Sequence, residues 1–201
     1  MVVFAPREKD LDIVETAIEQ EVELDKMGRP TKLLGMELTW NNDNKSVKLT
    51  QTSATERLAK EHNVANHEIP IKSLPLNPLI YEKGSEKETM SPTMTTKYQS
   101  LIGGLLYISR HTRPEISLHV NLLGRRTSHP SQQNWKAALG VLQYLVHNEG
   151  GIQLAKQRQE VIRVYTDASY GGENSISQTG TFMTLANQPI LWSSRRQETT
   201  A

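Results

Sequence analysis

The chain lacks cysteine entirely, which excludes disulfide bonds, cysteine-ligated zinc and thiol catalysis. Aromatic residues make up only 5% of its 201 residues, and no apolar run approaches the roughly 20 residues needed to span a bilayer, so no membrane partner is predicted. A strong charge of either sign is also missing, because 23 basic and 22 acidic side chains leave a net charge of +1. A nucleic-acid partner would have to be held by local basic patches rather than by overall charge.

What is present is the composition of a folded chain, with 36% hydrophobic and 22% charged residues. This length suffices for one medium domain or two small ones. Residues 1–4 form an apolar stretch that predicts a short strand, which is either an ordinary N-terminal strand or a sign that something upstream is missing. In residues 8–22, apolar side chains three or four positions apart predict an amphipathic helix.

Period-two alternation predicts a β-hairpin in the next part of the chain. Its first strand covers residues 34–40, its turn residues 41–44, and the alternation resumes at Val47 and Leu49. Ser53, followed three residues later by Glu56, predicts the N-cap and capping box of a short helix. Trp40, in the first strand, is interpreted as a core residue rather than a nucleic-acid contact.

A proline-rich stretch separates this hairpin from a helical region. Residues 70–92 contain four prolines and one glycine and keep no period, which predicts a linker. Three amphipathic helices follow; Pro114 lies in the first turn of the second, residues 128–130 open the third, and residues 148–151 end it. Gly103 and Gly104 are costly within the first helix and are interpreted as permitting close packing. Short loops between such helices predict a small bundle.

The period changes to two again from Val161. Residues 161–167, 181–185 and 190–192 predict a three-stranded antiparallel meander, with turns at residues 171–172 and 187–189. A lone meander needs a helix or further strands to cover its apolar face. The sequence offers none after it, so a truncated domain is expected at this end.

Several short blocks stand in a fixed order along nearly the whole chain. They are KLLGMEL (32–38), KLTQ (48–51), YQSLIGGLLYI (98–108), TRPEI (112–116), HP (129–130), WKAA (135–138), LQYL (142–145), YTDAS (165–169), QTG (178–180) and ILWSSRRQ (190–197). Each block is weak evidence alone. Their order and spacing together resemble the Pol polyproteins of copia-type (pseudovirus) LTR retrotransposons.

The resemblance implies an α+β fold with three parts: a β-hairpin left from the polymerase palm and primer grip, a three-helix thumb-like bundle, and a truncated RNase H-like antiparallel meander. It implies a C-terminal palm remnant at 1–69, a linker at 70–95, the bundle at 96–150, and the N-terminal part of an RNase H-like domain at 160–201. Residues 1–3 would directly follow the turn that carries two polymerase carboxylates, which are absent from the chain. A further carboxylate block, expected shortly after Ala201, is also missing.

Asp167 is the one catalytic and metal-binding residue that the resemblance implies, since it matches the first metal-binding aspartate of the RNase H fold. Taken without the resemblance, it is more typical of an ordinary residue at the end of a strand. Two-metal nucleotidyl transfer and hydrolysis need several carboxylates around two cations about 4 Å apart. A single carboxylate binds Mg²⁺ weakly. The Mg²⁺ of the parent enzyme is therefore not expected to bind tightly here.

The candidate contacts to an RNA–DNA or DNA duplex, the partner that the resemblance implies, are basic and polar side chains. They are Gln51, Arg110, Arg113, Arg125, Arg126, Arg195 and Arg196. Phosphate contacts need no sequence specificity. The alternative interpretations are scattered surface arginines and a strand edge protected by charge. The four remaining candidates for metal binding lack metal-ligand spacing and are interpreted as surface or capping residues: His111, His119, His129 and His147.

The parent function implied by the resemblance is RNA-directed DNA synthesis and cleavage of RNA–DNA hybrids, and the chain alone is expected to be inactive. Two alternatives stay open: a non-catalytic duplex-binding module, and a subunit whose site is completed by a partner chain. Other Pol or Gag products are further candidate partners. The resemblance implies a location in a cytoplasmic virus-like particle or in the nucleus, and the sequence itself fixes neither.

Overall fold

The structure is a computed structural model that describes residues 8–23, 25, 28–41, 45–64, 73–74, 90–156, 161–169 and 177–197. The elements are α1 (Glu8–Glu19), β1 (Lys32–Leu33), β2 (Met36–Trp40), β3 (Ser46–Thr50), α2 (Thr52–Glu61), α3 (Pro92–His111), a 3₁₀ turn (Pro114–Ile116), α4 (Ser117–Gly124), α5 (Gln132–His147), β4 (Ile152–Ala155), β5 (Ile162–Ser169), β6 (Gln178–Leu185) and β7 (Gln188–Arg196). This confirms the α+β class, with five α-helices and two antiparallel sheets in these ranges. The predicted strand at 1–4, the turn at 171–172 and most of the linker lie outside them.

The first sheet has the strand order β1-β2-β3-β4, and the predicted hairpin is formed by β2 and β3. The predicted start of the first strand at Leu34 is wrong. Leu34 and Gly35 form a two-residue turn between β1 and β2, with φ values of 47° and 71°. Turns of this length in hairpins favour positive φ at both positions, so the chain reverses where the alternation predicted a strand. Leu34 is consequently 73% exposed.

The sequence pattern does not predict strand β4, because this strand has only four residues, which are too few to show an alternation of apolar and polar side chains. It pairs with β3 from Leu49 opposite Ile152 to Ser46 opposite Ala155. Gly151 permits this pairing: its φ is 156°, and a Cβ there would lie 2.4 Å from the Leu49 carbonyl oxygen. The chain therefore leaves the bundle and returns to the first sheet.

Helix α2 begins two residues earlier than predicted, at Thr52, and its predicted cap is wrong. Its N-cap is Gln51, which makes no side-chain capping hydrogen bond, so Ser53 and Glu56 form no capping box. The cap comes from β2 instead. The Glu37 carboxylate accepts hydrogen bonds from the backbone N–H of Thr52 at 3.0 Å and of Ser53 at 3.2 Å. A carboxylate at this position satisfies free N–H groups and is stabilised by the helix dipole.

Glu37 is expected to make the fold sensitive to acid. Burial raises the pKa of Glu37, but the hydrogen bonds that its carboxylate accepts lower this pKa by more. They come from the side chain and then the backbone of Ser53, and from the backbone of Glu37 and of Thr52. The net result is a pKa below the ordinary value of 4.5. The stabilisation is therefore full above the unfolded-state pKa and is lost as the pH falls through the lower folded-state pKa.

The Glu37→Gln variant keeps the size of the side chain but removes the ionisable group. It is expected to unfold with a free energy lower by about 1 kcal/mol at neutral pH. The difference between the two proteins should shrink as the pH falls below about 4.5, because the carboxyl of the original chain becomes protonated. Urea denaturation at a series of pH values measures this difference. A difference that is constant down to about pH 2.5 would contradict the role given to Glu37.

The predicted three-helix bundle is present and shares its hydrophobic core with α2. The buried side chains of this core are Leu58, Tyr98, Leu101, Ile102, Leu105, Ile108, Ile116, Val120, Leu122, Leu123, Ala138, Val141, Leu142 and Leu145. Tyr98 is fully buried, and its hydroxyl donates to the Leu123 carbonyl at 2.8 Å. Helix α5 begins after the N-cap Ser131, which forms a capping box with Asn134, rather than at residues 128–130.

The two glycines of α3 have different surroundings. A Cβ on Gly104 would lie 2.6 Å from Cδ2 of Leu58, which belongs to α2. A Cβ on Gly103 would meet nothing within 4 Å. Close packing is therefore confirmed for Gly104 and wrong for Gly103, which lies on the exposed side of the helix.

The second sheet is the predicted meander, with the order β5-β6-β7. Its last turn lies earlier than predicted, at Ala186 and Asn187, whose φ values are 51° and 65°. Pro189 is therefore part of β7 rather than of a turn. Proline fits there because β7 is an edge strand and the register shifts beside it, between Met183 and Thr184.

Side-chain hydrogen bonds attach the meander to the helices and to the first sheet. The indole N–H of Trp192 in β7 donates to the Ser109 carbonyl near the end of α3 at 2.6 Å. The Gln188 amide accepts from the Ala155 N–H at 2.5 Å and donates to the Ala155 carbonyl at 2.6 Å, as a neighbouring strand would. Within the ranges that the structure describes, no helix is long and apolar enough to cross a membrane.

Candidate nucleic-acid interface

Two of the predicted contact residues, Gln51 and Arg113, line a cleft of about 570 Å³ beside α2 and α5. Gln51 is only 3% exposed. Its Oε1 accepts a hydrogen bond from the Thr112 hydroxyl at 2.8 Å, and its Nε2 has no hydrogen-bond partner among the residues that the structure describes. The structure therefore places Gln51 between the first sheet and the bundle, facing this cleft.

Arg113 is buried and already engaged by the protein. It is 6% exposed, its Nε donates to the Glu115 carboxylate at 2.5 Å, and its guanidinium lies 5.7 Å from the centre of the Tyr144 ring. Gly150 leaves room for it, since a Cβ there would lie 2.5 Å from Nε. A paired and stacked guanidinium fixes the end of α3 against α5.

The charges around this cleft are balanced. Lys60 and Arg113 line it together with the two carboxylates of Glu56 and Glu149. Equal numbers of opposite charges give no local attraction for phosphate groups. The cleft is therefore a weaker candidate for holding a nucleic-acid backbone than a place where arginines outnumber acids.

A second group of predicted residues gathers where the end of α4 meets the meander; we call this place the seam. Arg125, just after α4, donates to the Asn121 side chain at 3.3 Å and also to the Gln178 side chain of β6. Gln178 in turn donates to Asn121 at 3.1 Å and to the Ser194 hydroxyl of β7 at 2.6 Å. One network thus joins α4, β6 and β7 around an arginine.

Three further predicted arginines lie close in sequence to residues of the seam: Arg126 follows Arg125, and Arg195 and Arg196 end β7. In the β6–β7 register Arg196 lies opposite Gln178, and Arg195 lies opposite Thr179. Successive side chains alternate between the faces of a strand, so Arg196 shares the Gln178 face and Arg195 takes the other. Both arginines are exposed. Burial raises the pKa of Tyr98, and the nearby charge of Arg126 partly opposes this rise.

Asp167 lies on the same face of the meander as Gln178 and Arg196. It pairs with Gly180, two residues along β6 from Gln178. Its side chain is exposed, and Oδ1 accepts from the Ala168 N–H at 2.9 Å. Among the residues that the structure describes, no three acidic or histidine side chains converge on a possible metal position. The described carboxylates therefore do not fit a two-Mg²⁺ site.

The remaining candidates are dispersed. Arg110 is exposed on the last turn of α3, three residues before the buried Arg113. Trp40 is half-buried, and its indole N–H donates to the Pro30 carbonyl at 2.9 Å. The surface interpretation is wrong for His119, which is 7% exposed. His111 and His147 each contact the carbonyl four residues earlier, at 2.7 and 2.9 Å, as capping residues do.

Among the curated proteins that are similar to the chain, two match it along most of its length and a third along about half. The chain is 25% identical over 193 residues to the retrovirus-related Pol polyprotein from transposon TNT 1-94 of Nicotiana tabacum. The aligned region covers 92% of the chain and 14% of that polyprotein. It is 30% identical over 201 residues to a Ty5-1 transposon protein of Saccharomyces cerevisiae, covering 98% of the chain and 63% of that protein. It is 34% identical over 106 residues to the Pol polyprotein from transposon RE2 of Arabidopsis thaliana, covering 51% of the chain and 7% of that polyprotein.

No protein-family model matches the chain, and no solved structure is significantly similar to it. Fold and site define an α+β protein with a group of arginines at the junction of a helical bundle and a meander. The comparisons identify homologues: these relatives are retrotransposon Pol polyproteins and a transposon protein, which confirms the resemblance at that level. It spans less than two thirds of the length of each of these relatives.

Proposed function

We propose that the chain is the part of a copia-type Pol polyprotein that joins the reverse transcriptase to RNase H, and that it holds a nucleic-acid duplex by its phosphates without cutting it. The order of the parts supports this proposal. A hairpin sheet, a helical bundle and a meander follow one another as the primer grip, the thumb and the first RNase H strands do in the proteins that the sequence blocks resemble. The similarity to Pol relatives runs through all three parts, covering 92% and 98% of the chain.

The local charge at the seam is the observation that carries the proposed binding. Arg125 and Arg196 contribute positive charges on the Gln178 face of the meander, where Asp167 contributes one negative charge, on a chain whose total is +1; Arg126 follows Arg125 in the chain, and Arg195 lies at the same strand end on the other face. Phosphate contacts depend on such local charge and position a protein on a duplex without reading its sequence. A duplex lying at the seam would touch the bundle and the meander together.

We do not propose that the described residues catalyse hydrolysis of the hybrid. Two-metal hydrolysis needs several carboxylates to neutralise the cations and to align the attacking and leaving oxygens. Asp167 is a single exposed carboxylate without acidic neighbours that could complete a metal group in the described ranges. Cleavage by a parent polyprotein would therefore depend on carboxylates outside these ranges.

A salt titration tests whether the arginines at the seam and at the end of β7 contact phosphates. The full chain is mixed with a labelled RNA–DNA hybrid, and its affinity is followed by fluorescence anisotropy between about 50 and 200 mM salt. The double variant R195A/R196A is expected to lower the slope of log affinity against log salt by about one to two units, because each arginine that neutralises a phosphate adds about one unit and Arg195 lies on the other face of the meander from Arg196. Affinity should fall similarly on hybrids of unrelated sequence.

The matched control removes the same charge elsewhere. Arg57 and Lys136 are exposed on α2 and α5, outside the seam. The double variant R57A/K136A is expected to leave the slope unchanged. Equal losses in the two double variants would show a response to net charge alone, and a hybrid that does not bind at low salt would end the proposal.

A further inference from the structure

We propose that His62 makes the end of α2 sensitive to pH: the neutral imidazole keeps the last turn of α2 on the helical bundle, and protonation releases this turn. His62 is the C-cap of α2, and its side chain is only 3% exposed. Its ring meets the Trp135 ring of α5 edge to face, with the ring centres 5.7 Å apart. The imidazole therefore lies at a contact between two helices rather than in water.

A Schellman motif ends α2 and determines the path of the chain at this contact. The Val64 N–H donates to the Ala59 carbonyl at 2.8 Å, and the Asn63 N–H donates to the Lys60 carbonyl at 3.3 Å. Asn63 has a positive φ of 55°, as this motif requires. Val64 packs against the core of the bundle. The motif and the imidazole of His62 thus belong to one contact, so a change at the imidazole acts on the hydrogen bonds of the motif.

The neutral imidazole suits this position better than the charged one. Nε2 of His62 is buried and has no hydrogen-bond partner among the described residues. Oε1 of Glu61 lies 4.0 Å from it, which is too far for a hydrogen bond. A buried charge without a hydrogen-bonded partner is costly, whereas a neutral ring packs well against the edge or face of another ring.

The charged groups that act on this imidazole in the described part of the chain oppose each other. Glu61, on α2, favours the protonated form, but its side chain is half-exposed and its carboxylate also accepts from the Ser100 hydroxyl at 3.3 Å. Lys97, on α3, disfavours the protonated form. α5 contributes the uncharged Trp135 ring. Because Glu61 and Lys97 are exposed and screened by water and salt, burial decides which form is preferred.

The sign of the pH dependence follows from this burial. Burial lowers the pKa of His62 below its ordinary value of 6.5, Glu61 partly opposes this change, and Lys97 adds to it. The folded chain therefore binds fewer protons here than the unfolded chain. The stabilisation is full above pH 6.5 and is lost as the pH falls through the lower folded-state pKa. The loss begins well above the ordinary value of 4.5 for the pKa of Glu37, so it can be measured while Glu37 stays charged.

A titration of the full chain between about pH 7.5 and 5 tests the proposal. Nuclear magnetic resonance follows the ring of His62, which is assigned by its loss in H62Q, and a midpoint below 6.5 is expected. Hydrogen exchange follows the His62 and Val64 amides, whose protection factors are expected to fall by at least about 3-fold over this range. At pH 5 these amides are expected to be less protected than the Leu105 amide, because the last turn of α2 opens while α3 stays folded.

Two variants shift the response in opposite directions and leave His62 in place. K97M removes a like charge and is expected to raise the midpoint of His62, whereas E61Q removes an opposite charge and is expected to lower it. The matched control is H62Q, which has no ionisable group at this position. Its Val64 amide is expected to keep the same protection factor from about pH 7.5 to 5.

Three results would each overturn the proposal: a midpoint of His62 at or above 6.5, a protection factor of Val64 that does not change with pH, or an H62Q chain that loses protection as the original chain does. If H62Q does not fold, shifts of K97M and E61Q in the same direction would overturn it as well. No arm uses a nucleic acid or an arginine, so the outcome is separate from that of the salt titration.

Discussion

Replacing Leu142 with alanine is expected to lower the free energy of unfolding by about 2–5 kcal/mol. Leu142 is fully buried in α5 and belongs to the core that α2, α3, α4 and α5 share. Truncation removes apolar contacts and leaves a cavity that close-packed helices fill only in part. Urea denaturation measures the loss. The control is L34A, because Leu34 is 73% exposed and its truncation is expected to change stability by less than about 0.5 kcal/mol.

The same variant tests whether the helices and both sheets unfold together. The chain has three tryptophans, and they fall in different parts: Trp40 in β2, Trp135 in α5 and Trp192 in β7. A variant that retains only Trp192 reports the unfolding of the meander and keeps the hydrogen bond of this indole to Ser109, while far-ultraviolet circular dichroism reports the unfolding of the helices. Because Trp192 and Gln188 attach the meander by hydrogen bonds, L142A is expected to shift both transitions equally. A meander that keeps its original midpoint would contradict a single cooperative unit.

Replacing Gly151 with alanine is expected to cost about 2–4 kcal/mol of stability. The new Cβ would lie 2.4 Å from the Leu49 carbonyl oxygen and 3.0 Å from Cγ2 of Thr50. The first of these is a backbone atom of β3, and moving it would break the pairing with β4. The positive φ of 156° adds backbone strain for any residue with a side chain.

The matched control for Gly151 is Gly103→Ala. Nothing lies within 4 Å of a Cβ at Gly103, so the added methyl group meets open space. Since alanine is a better helix former than glycine, this variant is expected to gain up to about 1 kcal/mol. Hydrogen exchange of the Ile152 and Leu154 amides reports the β3–β4 pairing in both variants. Full protection of these amides in G151A would show that the chain does not approach β3 at Gly151.

The helices, the hairpin and the meander could be predicted from the sequence because each has a local period. Features that depend on contacts between distant residues could not. Glu37 replaces the predicted cap of α2 from a neighbouring strand, and no residue near Ser53 indicates this. β4 is recognisable only by its partner β3, since Ile152–Ala155 is too short to show alternation.

The candidate site was predictable in its residue types and less so in its arrangement. Exposed arginines near the chain's end are visible in the sequence, but their place beside Arg125 depends on Gln178, which bridges α4 and the meander. Gln178 itself had no local signal apart from its place in a resemblance block. Arg113 looked like the other arginines and is instead buried against Tyr144 and Glu115.

The central proposal is that this chain binds an RNA–DNA hybrid and cleaves neither strand. Electrophoresis of an end-labelled RNA–DNA hybrid, incubated with the full chain and Mg²⁺ and run on paired native and denaturing gels, measures both properties at once. On the native gel, the expected result is a retarded complex that dissociates as the salt concentration is raised. On the denaturing gel, the RNA from this complex is expected to have its full length. RNA shortened beyond the level seen with D167N, or a hybrid that migrates freely at every protein concentration, would contradict the account.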